Sequence, residues 1–231
     1  MNRTLDKRLS AVASLVRQGY VIADIGSDHA HLAVYLVSAG ICPRVIATDV
    51  REGPLQSAAR TVEACGLSDR IALRRTNGLE GLADEGLSGA VVAGMGGELI
   101  ADILAASPWV REQGLRLVLQ PMKDEHILRR RLYAMGYAIE CEHAVDAPEL
   151  YRVYAVMRVL PAPPKVIGEA FAWVGKMPQG GGDAADYVRH QIKRLRTIAS
   201  GLSRSADQAK RESAAPYVML ADQIERGEVS E

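Results

Sequence analysis

The sequence predicts an α/β fold: a mostly parallel, doubly wound sheet that ends in an antiparallel hairpin, with a smaller helical region behind it. Three observations carry this. Between residues 20 and 160, near-continuous apolar runs of strand length alternate with stretches of helical spacing, and strands apolar throughout are covered on both faces, the habit of parallel sheets. The last two runs, YAIECEHAV (137–145) and LYRVYAVMRVL (150–160), follow each other with no helix between them, as in a hairpin. PAPPK (161–165) then interrupts the chain, and the patterns beyond it are helical.

In chain order, MNRTLDKRLSAVASLV carries charges inside an apolar pattern and reads as an amphipathic helix, not a signal peptide. VIADI (21–25) is the first strand, followed by a helix to about Ser38. RVIATD (44–49) is the second, and Leu55, Ala58, Ala59 and Val62 give residues 53–66 an apolar helical stripe. RIALRR (70–75) alternates as a third strand; GAVVAG (89–94) is a fourth, leading to a helix over 98–106. LRLVLQ (115–120) is a fifth, leading to a helix over 125–135. Beyond the hairpin and linker, Val188, Ile192, Leu195, Ala199 and Leu202 recur at three- and four-residue steps, the seam of one helix packed on another. A second helix is expected over 206–214, and Pro216 suits the first turn of a third. The expected units are residues 1–162 and a helical-hairpin or coiled-coil-like region of residues 163–231. Tyr35, Trp109, Tyr133 and Tyr137 are expected in the core.

Composition narrows the function. The 231 residues, 48% apolar, can bury a proper core, and no apolar run approaches the ~18 residues of a membrane span. Cys42, Cys65 and Cys141 stand far apart without metal or redox spacing, and their odd number argues against a disulfide framework. A cytoplasmic protein with reduced cysteines and no metal is expected, a monomer rather than an obligate oligomer. Formal net charge is +0, so a polyanion would have to meet a local patch. Between residues 189 and 211, Arg189, Lys193, Arg194, Arg196, Arg204, Lys210 and Arg211 stand against Asp207 alone. That is either a solvated helix face or a phosphate-facing surface. Arg129, Arg130 and Arg131, consecutive on a helix, cannot all face one way.

In open α/β sheets ligands bind at the carboxyl ends of the strands, where strand order reverses. The first strand ends in DIGSDHA (24–30), with one glycine where a phosphate-cradling loop has two or three. Gly26 lets the backbone turn under a ligand, and Ser27 and Asp28 can cap the next helix. His29 can cap that helix, orient Asp28 or contact a phosphate. A pyrophosphate wants bare amides, so Asp28 argues against a dinucleotide. Asp49 ends the second strand about 20 residues past Gly26, the spacing at which an acid receives ribose hydroxyls; a loop acid is the alternative. Asn77 before Gly78 can hydrogen-bond an adenine amino group or form a plain turn. In Ala93-Gly94-Met95-Gly96-Gly97 the glycines cost backbone entropy, so close approach or unusual torsions are expected there.

A doubly wound sheet closing with a reversed strand is the habit of Rossmann-like class I S-adenosylmethionine (SAM)-dependent methyltransferases. With ADIGSDHAHL (23–32), AGMGGELI (93–100) and LQP (119–121) in this order, the chain resembles the bacterial TrmK-type tRNA adenine-N1 methyltransferases over about residues 5–160, and in architecture beyond. The resemblance implies a SAM-binding methyltransferase domain, a helical C-terminal domain on the tRNA, and methyl transfer to N1 of adenosine 22. It implies that Asp24, Gly26, Asp49, Asn77 and Gly94 line the SAM site, and that Asp28 is the carboxylate at the reaction centre. Ser27, Gly78 and Met95 adjoin them as expected cofactor contacts. His29, Gly96, Gly97, Gln120 and Pro121 are the expected contacts of the substrate base, with Arg189, Lys193 and Arg196 on the tRNA backbone. Three positions depart from the family pattern: His31 stands where Tyr is usual, Asn77 where Asp is usual, and Met122 where Asn is usual.

The glycine run lacks the Asn/Asp-Pro-Pro-aromatic motif by which amino-N methyltransferases hold an exocyclic amine, and suggests a flat base over bare backbone. Adenine N1 has a free lone pair at neutral pH, so attack needs no prior deprotonation. Positioning and a desolvated carboxylate, Asp28, beside the developing cation would supply the catalysis. Deleting residues 166–231 is expected to abolish tRNA methylation and leave SAM binding. The competing readings are a methyltransferase of another RNA, protein or small molecule, a non-catalytic SAM- or RNA-binding module, and a nicotinamide-dependent oxidoreductase. The single glycine and the closing hairpin disfavour the last.

Overall fold

The computed structural model describes residues 5–147, 152–177 and 182–231. Strands β1 (Ile22–Ile25), β2 (Val45–Asp49), β3 (Ile71–Arg75), β4 (Gly89–Gly96), β5 (Arg116–Lys123), β6 (Tyr137–Ala147) and β7 (Arg152–Pro161) form one sheet ordered β3-β2-β1-β4-β5-β7-β6. Pairings among the first five are parallel, and β7 runs antiparallel to both β5 and β6. The order reverses between β1 and β4, so their carboxyl ends open one crevice. The start of the last strand-like run, Leu150 and Tyr151, lies outside the described residues, as do residues 1–4.

The apolar runs become strands because neighbours along them serve two cores. Ala23, Ile46, Val92 and Leu117 join one buried cluster, while Ile22, Val45, Val91 and Val118 join the other. That alternation is the two-residue period of a strand covered on both faces. Helices α1 (Lys7–Leu15), α2 (His31–Ser38), α3 (Glu52–Ala64), α4 (Gly97–Ala105), α5 (Trp109–Glu112) and α6 (Glu125–Ala134) supply the covers. Asp6 caps α1 by accepting from the Leu9 amide at 2.6 Å, and Val12, Ala13 and Leu15 on it are buried.

Several expectations need correction. β4 does not stop at Gly94 but runs to Gly96 through a bulge, because β5 runs on beside it and pairs Met95 with Pro121 and Gly96 with Lys123. Tyr133 and Tyr137 are core residues, whereas Tyr35 is exposed and Trp109 half-buried. The arginine triplet is consumed by partners within the fold. Arg130 pairs with Glu169, and Arg131 meets Asp102 at 2.6 Å.

Beyond the linker lie α7 (Glu169–Val174), which the sequence did not announce, α8 (Gly182–Ser203), α9 (Gln208–Glu212) and α10 (Ala215–Glu225). Leu195 of α8 packs with Ala221 and Ile224 of α10 and with Trp173 of α7. The linker does not divide two cores: Phe171, Ala172, Met177 and Tyr187 belong to the same cluster as Leu117 and Leu128. At that junction Arg129 is fully buried with every nitrogen engaged. Its Nε and Nη2 donate to Glu142 Oε1 at 3.0 and 2.7 Å, and Nη2 also to the Tyr187 hydroxyl at 2.9 Å. Its Nη1 donates to the carbonyl oxygens of Ala172 and Trp173, at 2.7 and 2.9 Å, at the end of α7. A cut before residue 166 would therefore leave a buried charge pair open and the sheet's core bare, so that deletion does not isolate tRNA binding from SAM binding.

Candidate active site

The ends of β1, β2 and β4, with α1 over them, enclose a crevice of about 460 Å³. Asp24 is 5% exposed and accepts from Ser27 Oγ at 2.6 Å. Burial pushes its carboxyl up to about 6, and the Ser27 hydrogen bond pulls the other way. Gly26 turns with φ +71°, which favours glycine, and a Cβ there would push aside the mobile end of Met95. Ser27 spends its hydroxyl on Asp24 instead of capping, while its amide donates to the Thr48 carbonyl at 2.8 Å.

Asp28, His29 and Ala30 form a single 3-10 turn before α2. His29 and Ala30 both take left-handed torsions, φ 56° and 55°, which favour glycine. Such residues cost on the order of 1–3 kcal/mol each and persist only where packing imposes them; Ala30 is fully buried. His29 caps nothing. Its Nε2 stands 3.4 Å from Asp28 Oδ1, and its ring stacks on His31 at a 5.6 Å centroid distance. The Asp28 side chain is 69% exposed at the crevice mouth, so the expected desolvation is absent from the free chain.

On the β2 side, Asp49 is buried, and its Oδ1 accepts from the Arg51 amide at 2.8 Å. Its Oδ2 has no hydrogen-bond partner among the described residues. Thr48 also lines the crevice, and its fully buried Oγ1 has no hydrogen-bond partner among the described residues. Two large apolar side chains on the rim, Val50 and Leu99, are 58% and 51% exposed. The crevice thus combines acids, two arginines, an unmet hydroxyl and bare apolar surface, a set that fits a nucleoside with charged substituents.

A family model described as a methyltransferase domain matches residues 5–157. The tRNA (adenine(22)-N(1))-methyltransferase of Bacillus subtilis strain 168 is 42% identical over 135 residues, 58% of this chain and 57% of the relative, so the matched stretch spans just over half of it. A Streptococcus pneumoniae structure assigned as a tRNA (m1A22) methyltransferase is 30% identical, with 96% of this chain and 99% of that one covered at a TM-score of 0.84. Its complex with SAM superposes at 0.81, over 96% and 99% of the two chains. The B. subtilis tRNA methyltransferase TrmK is 29% identical over 96% of this chain and 98% of its own, with a TM-score of 0.84. The chain belongs to the TrmK-type class I methyltransferases.

Within this TrmK-type crevice lie Asp24, Gly26, Ser27, Asp28, Asp49, Asn77, Gly78, Gly94 and Met95 together. Asn77 is exposed, and its side chain has no hydrogen-bond partner among the described residues. The expected base contacts are placed otherwise. A Cβ on Gly97 would overlap the Asp124 carbonyl oxygen, and one on Gly96 would come within 3.3 Å of Lys123 Cε. Those two glycines admit neighbouring backbone and side chain; of the run 94–97, Gly94, at φ +81°, and Met95 line the crevice. Gln120 and Pro121 are buried beneath it, where Gln120 Oε1 accepts from the Gly94 amide at 3.1 Å. Several crevice residues carry no role in the sequence reading, among them Arg8, whose signal is a charge inside the apolar pattern of α1, and Thr48, a polar residue inside an apolar strand.

Arg189, Lys193 and Arg196 lie far along α8, lining a separate groove of about 680 Å³ with Arg204. The patch's charge is partly spent on acids from the starts of α6 and α8 and from α10. Arg189 pairs with Asp186, Arg196 with Asp222 and Glu225, and Arg194 with Asp124 and Glu125. Arg211 donates to the Ser205 and Ala206 carbonyls. Among the described residues Lys193, Arg204 and Lys210 form no ion pair. None of the described residues cluster as a metal site, and no described helix is long and apolar enough to cross a membrane.

Proposed function

We propose that this chain uses SAM to methylate N1 of adenosine 22 in tRNA. The observation that carries it is the switch-point crevice, where buried Asp24 and Asp49, the unmet Thr48 hydroxyl and the single glycine turn suit a phosphate-free cofactor. Likeness to the B. subtilis and S. pneumoniae proteins supports the nucleoside and its position. Asp49 receives the ribose hydroxyls, with Oδ2 free for one of them. Asn77 meets the adenine edge between the apolar rims of Val50 and Leu99, and the Gly26–Ser27 turn and Gly94–Met95 pass the amino-acid arm. Bound SAM supplies an electrophilic methyl group on a sulfonium.

Asp28 stands at the mouth, where the substrate base would enter. An entering adenine would cover its carboxylate and strip its water, so its charge would act on the ring as positive charge develops there. It can also accept from the adenine amino group. His29, held beside Asp28 by the strained turn, keeps that carboxylate's orientation. The helical region 163–231 meets the tRNA backbone through Lys193, Arg204 and Lys210, the cations of the patch left unpaired, with Arg189 and Arg196 beside them.

Asp28→Ala is expected to bind SAM as the parent does and to lose methyl transfer to unmodified tRNA by about 10²-fold or more. Turnover near that of the parent, measured by nucleoside analysis after transfer from labelled SAM, would overturn the assignment.

A further inference from the structure

We infer that Arg8 is the subsite for the carboxylate of the cofactor's amino-acid arm, aimed there by Gln120; this rests on the SAM-dependent function proposed above. The charges around the crevice single out Arg8. Asp24, Asp28 and Asp49 are its acids, and Arg8 and Arg51 its arginines. Arg51 is 72% exposed and already sits 3.5 Å from Asp49 Oδ1. Arg8 is only 19% exposed, yet its nearest acid, Asp6, is 3.8 Å away and half exposed itself.

What holds Arg8 is a neutral amide. Its Nη1 donates to Gln120 Oε1 at 2.7 Å. Gln120 is fully buried, and its Nε2 donates to the Pro121 carbonyl at 2.8 Å, which fixes which end of the amide faces Arg8. The same Oε1 accepts the Gly94 amide, so one side chain sets both the guanidinium and the glycine turn. A dipole orients the arginine without cancelling its charge. A half-buried guanidinium with donors to spare is suited to a carboxylate, which it can take through two parallel hydrogen bonds. The guanidinium lines the crevice beside Gly94, where a Cβ would sit in ordinary contact with Nη1 at 3.7 Å. SAM carries one carboxylate, and its ammonium and sulfonium go with the acids. The crevice thus reads the amino-acid arm by charge at both ends.

The test compares S-adenosylhomocysteine with its decarboxylated analogue, which keeps the adenosine and the ammonium, by calorimetric titration of the full chain. The parent should prefer the carboxylate form by about 10- to 100-fold, the value of a charge-assisted pair. Arg8→Met should bind the two ligands about equally and lose only the carboxylate form's advantage. Arg8→Lys, which keeps the charge, should restore part of it. Equal losses for both ligands in Arg8→Met would give Arg8 a merely structural role and sink the proposal, as would unchanged preference. If the parent binds neither ligand, it is the SAM-dependent function that fails.

Discussion

Replacing Asp24 by asparagine should stabilise the ligand-free protein at neutral pH while weakening its hold on the cofactor. The Asp24 carboxyl stands at about 6, raised from an ordinary 3.8 by burial. Below pH ~4 the folded and unfolded chains both carry the proton, and burial of the neutral acid costs little extra. Between pH ~4 and 6 the unfolded chain ionises while the folded chain, its carboxyl cut off from water, keeps the proton, so stability falls until the folded carboxyl ionises as well. The shift corresponds to about 3 kcal/mol lost by pH 7.5. Asparagine never ionises, so it avoids that loss, which already includes what the Ser27 hydrogen bond returns to the charged form. The net gain is at most about 3 kcal/mol, or roughly 6–12 °C in Tm for a chain of this size. Thermal unfolding of both proteins at pH 4.5 and 7.5 should show a clearly wider gap at the higher pH. A gap independent of pH, or a variant less stable at 7.5, would refute the reasoning. The ligand supplies a second check. A cation bound beside Asp24 favours its ionised form, so SAM binding near pH 6 should release protons, seen as heats that depend on the buffer's ionisation enthalpy. Asp24→Asn should abolish that release and weaken binding.

Arg129→Met should destabilise the fold by about 3–5 kcal/mol in urea titration, because Glu142 and two carbonyls would stay buried without their partner; a loss below ~1 kcal/mol would mean water replaces it. His29→Gly should leave stability unchanged or raise it by up to about 1 kcal/mol, since glycine takes the left-handed torsion without strain, and thermal melts decide this. The double change Lys193→Ala with Arg204→Ala should weaken tRNA binding and flatten the slope of log K against log salt by about 2, with SAM affinity unchanged.

Most of the sheet was legible because strand pattern and burial are the same information. Ala47, Val91 and Val118 are apolar because both faces of their strands are covered, and each run marks its own strand. The strand-end acids and Gly26 were legible for a related reason, since a parallel sheet brings its carboxyl ends together wherever the order reverses. Gly96 and Gly97 misled because a glycine shows only that something comes close. Whether that is a ligand or the Lys123–Asp124 backbone depends on how far β5 runs beside β4.

The basic tail shows the same limit in charge. Arg189 meets an acid of its own helix, Asp186 three residues before it, but Arg194 and Arg196 have no acid close by in the sequence, and Asp124, Glu125, Asp222 and Glu225 reach them through helix packing. The sequence by itself determined the doubly wound sheet, its closing hairpin, the helical tail and the acids at the strand ends, since these follow from local periodicity and chain order. Tertiary structure alone decided which charges remain unspent, that Arg8 reaches the crevice from the N-terminal helix, and that Arg129 ties the tail into the sheet's core. Those depend on partners distant in the chain, and a residue's neighbours in space are set by packing, not by its neighbours in sequence.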